Sequence, residues 1–201
     1  MIFSFTGVQN SGKSTLLKAL QEKVKTGIYS KFKWNFVPEI TRKIAVEQGA
    51  DINTKGANDE FQKLIMEEHI QNIKNAQEDP DTIHVLDRCI IDGALFTKYF
   101  YQAGKCSQRL AEWAWHEMDK NIVEYKNIFF CDYDIPLEDD GVRENGEFRE
   151  GMIKIYNDFL AEHYWDTNRT PATDIIIAIY GTVEERMNRI EDILKLAVDN
   201  C

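Results

Sequence analysis

Two hydrophobic periods alternate along the chain. Ile2-Phe3-Ser4-Phe5-Thr6 has the spacing of a strand, and Leu16-Leu17-Lys18-Ala19-Leu20 soon after it has that of a helix. Phe32 to Val37 predicts a second strand, closed by Pro38-Glu39 ahead of a helix carrying Ile40, Ile44, Ala45 and Val46. Beyond a polar loop from Asp51 to Asn58, the residues Phe61, Leu64, Ile65, Ile70 and Ile73 fall near helical spacing. They predict a long amphipathic helix from Asp59 to about Gln77. Thr82 to Leu86 reads as the third strand, and Leu95, Phe96, Tyr99 and Phe100 mark the next helix. Ser107 to Val123 is helical, with Trp113 and Trp115 in its middle. A short buried strand over Ile128–Cys131, a helix over Glu147–Trp165, a strand over Asp174–Tyr180 and a closing helix over Thr182–Val198 complete the pattern.

Strands alternating with helices predict an α/β fold, a three-layer sandwich in which a parallel five-stranded sheet is covered on both faces. The 201 residues suit a single domain over 1–201, because no repeat, low-complexity tract or Pro/Gly-rich linker divides them. Ligand sites on such sheets lie beyond the carboxyl ends of the strands. The chemically distinctive residues fall there.

Gly7-Val-Gln-Asn-Ser-Gly-Lys-Ser-Thr15, between the first strand and the first helix, fits the phosphate-binding loop pattern. Gly7 and Gly12 let the backbone curl so that successive N–H groups, those of Asn10 and Ser11 included, and the positive helix end converge on a polyphosphate. Lys13 is placed to reach the outer phosphates as a point charge. The Ser14 hydroxyl is placed to ligate a bridging magnesium ion, with Thr15 backing the loop. A nucleoside triphosphate, ATP, and Mg2+ are the expected ligands.

The formal net charge of −10 weighs against a long nucleic acid as partner, since duplex binding depends on clustered Lys and Arg. Cys89, Cys106, Cys131 and Cys201 are widely spaced, with no Cys-x-x-Cys pair, and read as reduced thiols. His69, His84, His116 and His163 form no metal-ligand cluster. No apolar run reaches the roughly 20 residues that span a bilayer, so a cytoplasmic protein is expected.

Other constellations surround the loop in sequence order. Glu39 ends the second strand; it is a candidate general base, or else only opens the following helix through the dipole. Arg42, one turn on, is placed to pair with Glu39 or hold a substrate phosphate. Phe61-Gln62 offers a ring and a donor–acceptor amide to a base edge, or is a core Phe beside a surface Gln. Asp87 at the end of the third strand is a candidate magnesium ligand, with Arg88 as a cation beside it; a structural ion pair is the alternative. The run Asp139-Asp140-Gly141-Val142-Arg143 through Arg149 reads as a lid over about 137–150. Its Arg143 and Arg149 would stabilise phosphoryl charge, unless it is a solvated charged loop. Thr182 in Gly181-Thr-Val-Glu-Glu185 has the spacing to cap the last helix with Glu185.

In this order the motifs resemble P-loop nucleoside and nucleotide kinases over nearly the whole chain. Asp87-Arg88 before an aromatic-rich helix is similar to the Asp-Arg of thymidylate kinases and the Glu-Arg of deoxynucleoside kinases. Pro38-Glu39 and Phe61-Gln62 are similar to the base and nucleobase-binding pairs of the latter. The Asp-Gly-x-Arg run is similar to ribosylnicotinamide kinases and small P-loop ATPase-domain relatives. Cys89 stands where thymidylate kinases carry an aromatic residue, and the phosphate loop lacks their acidic residue between the glycines. The resemblance implies transfer of the γ-phosphoryl of ATP to a nucleoside or nucleoside monophosphate, with nicotinamide riboside, or NTP hydrolysis on a macromolecular partner, as alternatives. It implies catalytic roles for Lys13, Glu39, Arg88, Arg143 and Arg149, substrate contacts by Glu39, Arg42, Phe61, Gln62, Asp87 and Arg88, and an adenine bordered by the turn at Thr182, mostly through backbone contacts. A homodimer is left open. A GTPase switch is disfavoured because no Asn-Lys-x-Asp guanine reader is present.

Overall fold

A computed structural model describes residues 1–41, 44, 58–134, 146–163 and 175–199. Five strands form one parallel sheet: β1 (Ile2–Thr6), β2 (Lys33–Val37), β3 (Thr82–Asp87), β4 (Asn127–Cys131) and β5 (Ile176–Ile179), in the spatial order β2-β3-β1-β4-β5. The helices are α1 (Lys13–Lys23), α2 (Asp59–Glu78), α3 (Ile90–Gln102), α4 (Gln108–Asn121), α5 (Glu147–His163) and α6 (Val183–Val198).

Side chains of a strand point alternately to opposite faces, so each central strand feeds two cores. Ile2, Leu86, Ile128, Phe130 and Ile176 pack under α2 to α5 with Met66, Ile90, Met118 and Tyr156. Phe3, Phe5, Val85, Phe129 and Ile179 pack under α1 and α6 with Leu16, Leu20, Ile190 and Leu194. Burial on both faces explains why β4 carries the continuous apolar run Ile128–Cys131 and why every residue of β1 is buried, Ser4 and Thr6 included, whereas edge strand β2 has only exposed and half-buried positions. The Phe5 and Phe129 rings meet at 5.2 Å between centroids; burying each such side chain contributes about 2–3 kcal/mol.

Element boundaries follow local chemistry. Asn58 caps α2 by accepting from the Phe61 N–H, and Ser107 caps α4 by accepting from Leu110. Thr182 and Glu185 form a reciprocal capping box on α6. The helix expected from Ser107 to Val123 ends earlier, at Asn121, and passes into a 3-10 turn over Ile122–Glu124. A 3-10 turn over Gly27–Lys31 lies where the pattern gave no element. It is fixed by Tyr29, which is buried and donates its hydroxyl to the Glu191 carbonyl at 3.1 Å. After Pro38, Ile40, Thr41 and Ile44 are helical as expected, while Arg42, Ala45 and Val46 lie outside the described residues. So do Arg143, most of the expected lid, Trp165 and Asp174.

Candidate active site

The phosphate loop leaves the carboxyl end of β1 and runs into α1. Gly7 has φ +134°, and a Cβ there would sit 2.6 Å from the Cys131 carbonyl oxygen, so the loop turns where only glycine fits. Asn10 and Gly12 also have positive φ, 58° and 81°. Gly12 is the N-cap of α1 and supplies no side-chain cap, and the first turn holds no acid. No side chain caps the start of α1, where only the Thr15 N–H turns back, to the Gly12 carbonyl at 3.1 Å; this leaves the helix opening to an anion, in contrast to the side-chain-capped starts of α2, α4 and α6.

Lys13 is buried and folds back over this loop, donating from Nζ to the carbonyls of Gly7 at 2.9 Å and Val8 at 2.6 Å and to Ser11 Oγ at 3.1 Å. Burial, aided by the nearby Arg88 cation, lowers its pKa to about 8. Ser14 and Thr15 are exposed in the first turn of α1. The exposed Ser14 hydroxyl, the uncapped helix end and the lysine make a donor set that fits a polyphosphate with its magnesium. Asp87 completes the set chemically: burial raises its pKa against the pull of Arg88, and Glu39 adds to the rise, a state that a nearby cation would relieve. Parallel pairing of Phe5 with Asp87 brings the ends of β1 and β3 side by side.

Beside the loop, Arg88 is buried in a left-handed conformation, φ 78°, immediately after β3. Its Nε donates to Glu39 Oε1 at 3.0 Å and its Nη1 to Asp92 Oδ1 at 2.7 Å and the Gly7 carbonyl at 3.4 Å. The guanidinium also lies over the Phe96 ring, 5.3 Å from its centroid. Register explains the meeting with Glu39, since Val37 pairs with Leu86 and both chains then leave the sheet together. Asp92 in turn accepts from the Cys89 N–H at 2.9 Å and from the Tyr156 hydroxyl at 2.7 Å. Burial would push the Asp92 carboxyl up, but Arg88 and these donors hold it below the usual carboxylate value. Burial likewise works against the Arg88 charge, and Asp92 and Glu39 outweigh it.

Arg149, in the first turn of α5, is buried with Nε 3.4 Å from the Gln9 carbonyl, which brings it to the phosphate loop. On the far side of the loop Arg186 is fully buried at 0% exposure. It donates to the carbonyls of Gly181 at 2.8 Å, Ser11 at 2.9 Å and Asp132 at 3.2 Å, and to Asp134 Oδ1.

Lys13, Glu39, Arg88, Asp87 and Arg149 thus gather around the ends of β1, β2 and β3. Phe61 and Gln62 do not present an open face: both are buried, Phe61 within a small cluster with Ile40, Ile44 and Ile65. Gln62 is therefore not the surface residue of the alternative reading. Thr182 is exposed and makes the capping contacts that its sequence allows, Oγ1 to Glu185 Oε2 at 2.8 Å. Among the described residues no cluster of His, Cys, Asp and Glu suits a metal on its own, and no helix is long and apolar enough to cross a membrane.

Asp92, Tyr156, Arg186 and Asp134 escaped the sequence reading. Asp92 had a signal, being four residues from Arg88 and three from Cys89, the spacings of a helical ion pair and of a capping box. Arg186 had none, because an arginine in an amphipathic helix reads as a solvated position.

The family model for the AAA domain matches residues 2–186. No curated protein matches the chain. Among solved structures, the deoxyadenosine kinase of M. mycoides with its products dCMP and dCDP superposes with a TM-score of 0.64 at 14% identity, covering 97% of this chain and 99% of that one. The thymidylate kinase of Candida albicans gives 0.63 at 17% identity, covering 98% and 91%. The NadR protein in complex with NR gives 0.65 at 16% identity, where 96% of this chain spans half, 50%, of the NadR chain. The phosphate loop, the parallel sheet and these matches together place the chain in the AAA domain family, with the fold of the P-loop nucleoside and nucleotide kinases.

Proposed function

We propose that the chain is an ATP-dependent phosphotransferase that moves the γ-phosphoryl group of ATP to a hydroxyl or phosphate of a nucleoside or nucleoside monophosphate. The observation that carries this reading is the Glu39–Arg88 pair, set 3.0 Å apart with Arg88 Nη1 3.4 Å from the Gly7 carbonyl of the phosphate loop. A carboxylate and an arginine held together beside that loop suit deprotonation of an acceptor hydroxyl and orientation of the acceptor; a water in the acceptor's place would use the same pair, so the test carries a no-acceptor control.

In this reading the loop N–H groups and Lys13 hold the β- and γ-phosphates. Glu39 accepts the proton of the acceptor hydroxyl as transfer proceeds, and Arg88 orients Glu39 and the acceptor. Arg149 faces the charge that spreads over the transferring group, with Arg143 as its expected companion from a lid over about 137–150. Ser14 and Asp87 would hold magnesium, which neutralises phosphate charge when bound. Gln62, Phe61 and Arg42 are the expected acceptor contacts, and Asn10, Ser11, Gly12, Thr15 and the backbone near Thr182 those of the donor nucleotide.

ADP release from magnesium-ATP, measured against nucleosides, deoxynucleosides, their monophosphates and nicotinamide riboside with a no-acceptor control, tests the proposal. Release that depends on one acceptor class supports it and names the class. Release at the same rate without acceptor favours instead an NTPase whose work is done on a macromolecular partner.

A further inference from the structure

Arg186 lies on α6, far in sequence from the phosphate loop, yet its guanidinium is entirely buried and its three nitrogens are all engaged by the elements that frame that loop. Nη1 holds the Ser11 carbonyl of the loop itself. Nη2 holds the Asp132 carbonyl and the Asp134 carboxylate beyond β4, and Nε holds the Gly181 carbonyl in the turn after β5. Ser11 is equally enclosed at 0% exposure and is held from two sides, its carbonyl by Arg186 and its hydroxyl by Lys13. A buried guanidinium costs several kcal/mol of desolvation unless its donors are all used. Here four hydrogen bonds engage it, three to backbone carbonyls of separate loops and one to the Asp134 carboxylate, and an apolar side chain would pack the same volume without joining them.

We propose that Arg186 is a positioning residue for nucleotide binding: its planar fork fixes the Ser11 peptide relative to the Gly181 turn and the end of β4, so that the loop N–H groups are presented to the phosphates in one arrangement. Lysine cannot substitute, because an ammonium lacks the rigid fork that reaches three loops at once. The inference rests on reading the loop as a nucleotide site. It adds to that reading a residue that touches neither the phosphates nor the acceptor.

The test compares wild-type protein, R186K and D134N by calorimetric titration with magnesium-ADP, together with KM for ATP and for the acceptor. R186K forfeits charge-assisted bonds to at least one carbonyl and is expected to raise the Kd for magnesium-ADP about tenfold or more. The KM for ATP should rise in parallel and the acceptor KM should move less than about twofold, a split that general loosening of the fold would not produce. D134N keeps the shape and weakens one bond, with an expected rise in Kd of about threefold; it carries the test if R186K does not fold. An unchanged Kd in a folded R186K, or in D134N where R186K does not fold, overturns the inference, as does equal weakening of nucleotide and acceptor. Wild-type protein that binds no nucleotide overturns the reading beneath it as well.

Discussion

Arg88 Nε stands 3.0 Å from Glu39 Oε1, although the two residues belong to loops after different strands. Arg88 keeps a second carboxylate, Asp92, at 2.7 Å on its other side. Removing Glu39 therefore does not strand the guanidinium. E39Q should melt within about 1–2 °C of wild type, since the surviving Asp92 pair is the more buried one. Its turnover with a hydroxyl acceptor should fall roughly 100-fold or more, the scale of a lost general base. Steady-state kinetics beside a thermal melt separates the effects, and unchanged turnover refutes the base assignment.

Asp92 itself is different. It is 1% exposed, and its removal would leave a buried cation with only Glu39 opposite it. D92N should cost about 3–5 kcal/mol. Y156F removes one donor to Asp92 while Arg88 and the Cys89 N–H remain, and should cost only about 1 kcal/mol. Urea unfolding of both variants decides the order; equal losses would mean that the ion pair adds nothing to the phenol's bond.

The Lys13 ammonium gives nucleotide binding a pH dependence of definite sign. Its pKa falls from 10.5 in the unfolded chain to about 8 in the folded one. Between those values the unfolded chain binds the extra proton, so this group makes stability rise with pH across that window. A bound polyphosphate favours the charged lysine, so binding near pH 8 should take up protons. Affinity should fall above pH 8 by up to about tenfold per pH unit. Titration calorimetry in buffers of different ionisation enthalpy measures the uptake, and K13M should abolish it; uptake that persists in K13M assigns the proton elsewhere.

Gly7 is the point where the loop touches the backbone of β4. G7A places a methyl 2.6 Å from the Cys131 carbonyl at φ +134°, a clash with main chain that no side-chain rotation relieves. The expected result is a stability loss of about 2 kcal/mol or more, with nucleotide binding lost because the turn no longer directs its N–H groups inward. Measurable magnesium-ADP affinity in G7A would show that the loop tolerates another path.

What the residues determined by themselves was local. Short apolar-rich runs specify β1, β3 and β4, whose two faces are both buried, and the Gly7-to-Thr15 pattern specifies its loop because the turn at Gly7 admits only glycine. Helix starts at Asn58, Ser107 and Thr182 were equally legible, since a cap needs only near neighbours. Tertiary structure decided which distant residues meet. Strand order sets β3 between β2 and β1, which joins Glu39 to Arg88 and brings Arg88 to Gly7. The packing of α3, α5 and α6 on the sheet buries Asp92, Tyr156 and Arg186, whose roles depend on partners up to 175 positions away along the chain. Burial of a charged side chain is a property of the assembled layers, and no local pattern encodes it.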